Sequence, residues 1–296
     1  MPRFLSIVGC LLVLALASLT GRSAPMSGTG GRAVTDSTKQ TVVVPANPQR
    51  VLSLCTSATD TLLRLGEGAR LAGIDEYSRV VPGTSNVTVL GKGSAISREQ
   101  VLARGIDLAF VWWFQEDAAK LLADLRVPVV RLRCGRASEV PDTIRLVGQC
   151  VGATNAADAL ARSVTEKLAR LTPASTNVGP RVYLELYTPF KTSGGDSYLN
   201  DLIELAGGHN IAAQGNGALL LSAEQLLAAD PHCVVLLAGF GTPEQFARRG
   251  GLGSLAAVKA GRVHILDRYY LVAGAGLPEG VAALRQLIQP ESKTKH

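Results

Sequence analysis

Short apolar runs alternate with stretches of helical periodicity along most of this chain. Runs fall at 51–54, 71–74, 108–111 and 127–132, then at 182–186, 233–238 and 263–266. Segments that predict helices lie between them, at 58–65, 116–125, 141–151, 197–206 and 279–288. Gly66 and Gly207-Gly208 supply the stops expected after two of these helices. Strands alternating with helices predict parallel α/β sheets. The segment 156–171 is longer and carries Leu160, Val164, Leu168 and Leu171 as one apolar stripe. A single long helix between two similar halves predicts a rigid connector.

The halves echo each other. Ser97-Arg98-Glu99-Gln100-Val101-Leu102-Ala103 returns as Ser222-Ala223-Glu224-Gln225-Leu226-Leu227-Ala228, and each copy precedes an apolar run. Both read as helix starts, with the serine as N-cap and the glutamine three residues on completing a capping box. Each glutamate falls in the first turn, where the helix dipole favours a carboxylate. The order strand, loop, helix, glycine stop, short strand, capped helix, strand recurs in both halves, so the duplication extends beyond the seven-residue match.

Composition refines this. The chain has 296 residues, 47% hydrophobic and 18% charged, enough for two domains with ordinary cores. The formal charge of +6 comes from scattered basic residues without a block or motif, so no nucleic-acid partner is expected. The apolar run at 7–19, with the A-x-A cleavage pattern Ala15-Leu16-Ala17 near its end, predicts a secretory signal over about 1–24. A flexible Gly/Ser/Thr-rich leader is expected over 25–40. A lipid anchor on Cys10 is not expected, because the apolar run continues past it. Cys55, Cys134, Cys150 and Cys233 form no C-x-x-C pair, and buried free thiols are the favoured reading, although an exported chain permits disulfides.

Catalytic patterns are weak. Gly195-Asp196-Ser197 resembles one esterase opening but lacks the distal Asp-x-x-His, and Gly274-Ala275-Gly276 follows no strand directly. His209, His232, His264 and His296 have no ligand spacing. No catalytic residue, metal site or cofactor is therefore assigned. The loops at the C-terminal ends of the strands remain, where open α/β sheets bind ligands. They hold Cys55, Thr56, Ser57, Tyr77, Trp112, Trp113, Phe114 and Arg133 in the first half. The second half adds Tyr187, Phe190, Lys191, Tyr269 and Tyr270. Strand alternation lets only one of the two tryptophans face a core. Aromatic walls on two lobes suit a large planar or hydrophobic ligand.

A set of ordered markers resembles the periplasmic substrate-binding proteins of ABC importers for cobalamin, haem and iron-siderophores. The markers are Pro48-Gln49-Arg50-Val51-Leu52-Ser53-Leu54 leading to Leu65-Gly66, then Asp75 with Ser78, and the first capped helix before Asp107-Leu108. Thr192-Ser193-Gly194-Gly195-Asp196-Ser197, Ala206-Gly207-Gly208 with Asn210-Ile211, and the second capped helix follow. The likeness covers about 41–288.

The resemblance implies two Rossmann-like lobes, 41–153 and 173–296, joined by one helix over 154–172 with small hinge motion. It implies that Glu99 and Glu224 dock on arginines of an inner-membrane permease. The protein is then a periplasmic monomer that binds a metal chelate. Trp112 and Tyr77 match aromatic positions of cobalamin binders, but the tryptophans that those proteins carry before each capped helix are missing near Gly93 and Ala218. Tyr77 could take the iron-ligand role of haem binders, and Arg133, Lys191, Tyr269 and Tyr270 the roles seen in siderophore binders. A corrinoid or a ferric chelate is the expected ligand. The alternatives are an exported serine esterase using Ser197 and a binder of free metal ions.

Overall fold

The computed structural model describes residues 30–171 and 179–289. The expected signal segment, Cys10, the leader up to residue 29, the start of the second lobe at 173–178 and His296 lie outside the described residues.

The leader expected over 25–40 is in part a hairpin, with β1 (Gly31–Thr35) antiparallel to β2 (Thr41–Pro45). Its turn is organised by Asp36, whose Oδ1 accepts the N–H groups of Thr38 at 2.8 Å and Gln40 at 3.0 Å. Val34 and Val44 reach the core. A five-residue strand with one fully buried side chain carries too little alternation to stand out in a polar stretch.

The first half continues with β3 (Val51–Ser53), α1 (Thr56–Arg64), β4 (Leu71–Asp75), β5 (Val89–Lys92) and β6 (Ala95–Ile96). Then come α2 (Arg98–Ala103), β7 (Leu108–Trp112), α3 (Glu116–Asp124), β8 (Val129–Leu132) and α4 (Val140–Val151). The sheet order is β6-β5-β4-β3-β7-β8, parallel except for β6. Leu108 and Phe110 pack into one core while Ala109 and Val111 pack into another on the opposite face. A sheet covered on both sides is why these strands read as unbroken apolar runs.

Helix α5 (Thr154–Leu171) follows. Its most buried positions are Ala157, Ala161 and Val164, with Leu160, Leu168 and Leu171 only partly covered. The deepest stripe is thus one of small residues, displaced from the leucines. Contact with α4 is the reason: a Cβ on Gly148 would lie 2.1 Å from the Cβ of Ala157. The far end of α5 is held by Arg285, whose guanidinium donates to the carbonyls of Leu171 and, at 2.7 Å, Leu205.

The second half holds β9 (Arg181–Glu185), β10 (Lys191–Ser193), α6 (Tyr198–Leu205), β11 (His209–Asn210), β12 (Ala218–Leu220) and α7 (Ala223–Ala229). It ends with β13 (Cys233–Leu237), α8 (Pro243–Ala247), α9 (Ala256–Lys259), β14 (Val263–Leu266) and α10 (Leu277–Ile288). The parallel sheet runs β11-β9-β13-β14, and β10 pairs with β12 as a separate antiparallel ribbon. Strand order reverses between β3 and β7 in one half and between β9 and β13 in the other. Two α/β halves therefore present equivalent switch points. Behind them, Cys134, Ala137 and Ile144 join Val182, Leu184 and Leu237 in one shared core.

Candidate functional site

The site is built from the chain segments that leave the strands at these switch points. In the first half, β7 runs straight into Trp112-Trp113-Phe114. Trp112 is half-buried and stacks on Phe114, with centroids 6.4 Å apart and planes 6° from parallel. Trp113 points outward with 46% of its surface open, and Phe114 has 60% open. The alternation argument is met: one tryptophan packs inward and the other is left in solvent. Arg133 leaves β8 with its guanidinium 5.2 Å from the Trp113 centroid, and Lys92 Nζ lies 5.8 Å from the ring of exposed Tyr77. Lys92 also pairs with Glu76 at 3.5 Å.

The second half answers with Tyr187 and Phe240, whose rings meet edge to face at 5.2 Å. Arg268 stands 5.5 Å from the Phe240 centroid. Desolvation pushes the Tyr187 hydroxyl above its usual range even though 44% of the residue is open; Arg268 opposes this, and the Tyr77 phenol of the other half adds to it. Tyr187 and Phe190 both have positive φ, 33° and 67°. This tight turn is held by Glu185, buried at the end of β9. Its carboxylate accepts the Phe190 N–H at 2.9 Å, the Tyr183 hydroxyl at 3.1 Å and Arg249 Nη1 at 2.6 Å. A buried carboxylate with three donors is a fixed anchor for an exposed aromatic lip.

Several residues expected to contact a ligand are buried, half-buried or hydrogen-bonded within the protein. Cys55 and Ser57 are fully buried at the start of α1; burial pushes the Cys55 thiol well up, and the Ser57 hydroxyl donates to the Ala273 carbonyl. Thr56 is half-buried beside them. Phe190 packs against the core of the second half, and Tyr270 against the shared core. Lys191 is half-buried in β10, opposite Leu220. The Tyr269 hydroxyl is taken up by Asp60 and Arg64. Cys55, Ser57, Phe190 and Tyr270 thus lie against the core, and Tyr269 is held by hydrogen bonds to the other half.

Lys92, Phe240 and Arg268 were missed by sequence reasoning. Phe240 had a signal: it follows β13 as the Trp-Trp-Phe run follows β7, so the internal duplication marks it. Arg268 and Lys92 had none, because a cation's stacking partner is a matter of folding.

Ser197 caps α6: its Oγ accepts the Asn200 N–H at 3.2 Å and donates to the Gly194 carbonyl at 2.8 Å. Among the described residues no group of three His, Cys, Asp or Glu side chains could hold a metal ion. The four described cysteines are free and buried. No helix among the described residues is long and apolar enough to cross a membrane.

Both repeated serines act as N-caps, accepting from Gln100 and Gln225 N–H at 3.2 Å. The second copy closes a full capping box, with the Ser222 N–H donating to Gln225 Oε1 at 2.8 Å; in the first, Ser97 donates to Glu99 instead. Glu99 and Glu224 project into solvent. Helix-start amides and the neighbouring serine hold both carboxyls below their usual range.

Comparisons with known proteins agree with this architecture. The ABC transporter substrate-binding lipoprotein YvrC of Bacillus subtilis (strain 168), itself uncharacterized, is 26% identical over 275 residues, 88% of this chain and 86% of its own. A cobalamin-binding protein of Halobacterium salinarum is 28% identical over 211 residues, covering 68% of this chain and 57% of that protein. A periplasmic heme binding protein from Pseudomonas aeruginosa shares the fold, with a TM-score of 0.75 at 24% identity over 83% of this chain and 94% of that one. The family profile described as Periplasmic binding protein matches residues 51–270, and the chain belongs to that family.

Proposed function

We propose that this protein is the substrate-binding component of an ABC importer, taking a planar metal chelate between its halves and delivering it to a permease in the inner membrane. One observation carries this reading. The exposed rings Tyr77 and Trp113 on one half, and Phe240 on the other, each have a cation beside them. Flat rings suit a macrocycle or an aromatic chelator, and the cations suit carboxylate or phosphate groups at its edge. The names of the relatives, cobalamin-binding and ABC transporter substrate-binding, support the same class. We read the ligand as a corrinoid, haem or a ferric siderophore, and export to the periplasm as the setting.

Binding without a chemical step is the favoured activity. Ser197 is engaged as a helix cap, with Gly194 and Asn200 as the hydrogen-bond partners of its hydroxyl among the described residues. Glu99 and Glu224 are the proposed permease contacts: each is an exposed, ionised carboxylate on a short capped helix, one per half. The test is the absorption spectrum of the purified protein mixed separately with hemin, cobalamin, cobinamide and a ferric siderophore. A shifted band that titrates to one equivalent identifies the ligand. No shift with any of the four, and no change in tryptophan fluorescence, overturns the reading.

A further inference from the structure

Gly274-Ala275-Gly276 has no part in the cleft chemistry, yet both glycines are buried. Neither has a positive φ, so backbone conformation does not require them. Close approach does. A Cβ on Gly274 would lie 2.8 Å from Asp60 Oδ2, and one on Gly276 would lie 2.7 Å from the Tyr269 hydroxyl. The loop before α10 is therefore pressed onto α1 of the other half, and the contact centres on Asp60, which is 1% exposed. Asp60 Oδ2 accepts the Gly276 N–H at 2.9 Å, and Oδ1 accepts the Tyr269 hydroxyl and Arg64 Nε, each at 3.1 Å. Every donor is spoken for, and the carboxylate is satisfied only while the halves are in register.

A second contact runs the other way. Asp201, on α6 of the second half, accepts Arg136 Nε at 2.9 Å and the Ala137 N–H at 2.8 Å from the first half. Each junction lies next in the chain to a cleft cation. Arg268, over Phe240, directly precedes Tyr269. Arg133, over Trp113, is three residues before Arg136. The segment that bears each wall's arginine is thus fastened to the opposite half.

We infer that Asp60 and Asp201 are positioning residues that fix the separation and register of the two cationic aromatic walls, and so the thickness of the ligand admitted. This rests on the proposed reading of the cleft. The contacts are reciprocal, so a shift of either half breaks charge-assisted hydrogen bonds at both points.

The test uses spin labels at Asn86→Cys and Glu244→Cys, both exposed and one on each half, in a Cys10→Ser background, since the other thiols are buried. Tyr269→Phe removes one hydroxyl and Asp201→Asn one charge; both are milder than Asp60→Ala, which could prevent folding. The double variant is expected to broaden the interlabel distance distribution about twofold and to weaken hemin binding about tenfold, in keeping with loss of hydrogen bonds to charged groups. Leu122→Ala, which opens a cavity in the first half alone, is the control for stability and should leave the distribution narrow. An unchanged distribution in the double variant, or equal broadening in Leu122→Ala, overturns the inference. The distance measurement needs no ligand, so it decides this point even if all four chelates fail to bind.

Discussion

The guanidinium of Arg133 rests 5.2 Å from the centre of the Trp113 ring, at a place where both side chains are open to solvent. An aromatic ring that already carries a cation offers a ligand both a flat face and a positive edge. Arg133→Ala is expected to weaken hemin binding by about 1 kcal/mol, roughly fivefold, the size of one cation contact on a half-exposed ring. Titration by absorbance checks this. Cobinamide, which lacks hemin's carboxylates, should lose less; an equal loss for both would assign Arg133 to packing alone.

Asp75 gives a pH prediction. It is buried at the end of β4, and burial raises its carboxyl from 3.8 to about 6, even though the Ser78 N–H and hydroxyl both donate to it. The folded state then binds more protons than the unfolded state between those two values. Stability is greatest below 3.8 for this group and falls as the pH rises through about 6. The full effect is about 3 kcal/mol at most. Asp75→Asn should flatten the dependence of thermal midpoint on pH between 4 and 6, measured by circular dichroism. A slope unchanged from the wild type would refute the assignment.

The Glu185–Arg249 pair, 2.6 Å apart with both side chains largely covered, predicts an asymmetry. Arg249→Ala leaves a carboxylate buried without its counter-charge and should cost about 3–5 kcal/mol. Glu185→Gln keeps hydrogen-bonding capacity near the Phe190 N–H and should cost less. Urea unfolding measures both. The tyrosine lip should also respond: Arg249→Ala is expected to weaken ligand binding through Tyr187 although Arg249 stands behind the wall.

Charge reversal of Glu99 and Glu224 together is expected to abolish uptake in cells and to leave the affinity of the purified protein unchanged. Uptake of the labelled ligand and a binding titration provide the two readings. Reduced affinity would place these carboxylates in the cleft and end their assignment to docking.

Much of this architecture was legible because its signals are local. The runs at 108–111 and 233–238 are strands covered on both faces, and the repeated serine starts two helices by the same hydrogen bond. Periodicity, caps and glycine stops act within a few residues, where sequence can be read directly. The cleft was legible only in part. The outward turn of one tryptophan, Trp113, follows from alternation at a strand end, whereas the hydrogen bonds of Ser57 and Tyr269 to the opposite half do not. Their partners, Ala273 and Asp60, are some two hundred positions away, and no local pattern states whether a polar side chain at a strand end meets solvent or another lobe. The strand at 31–35 escaped because it is short and buries only Val34, too little alternation to stand out in a polar stretch.

Helix α5 is gripped at its first turns by the close approach of Gly148 and Ala157, and at its last by Arg285. Mechanically it is a beam clamped at both ends, about 27 Å long at 1.5 Å per residue. Such a beam flexes but cannot swivel, and its restoring force grows with deflection. A change in the separation of the halves would then have to bend this helix. In the proposed importer, a permease that separates the halves would impose that bend, and release would let the helix straighten again.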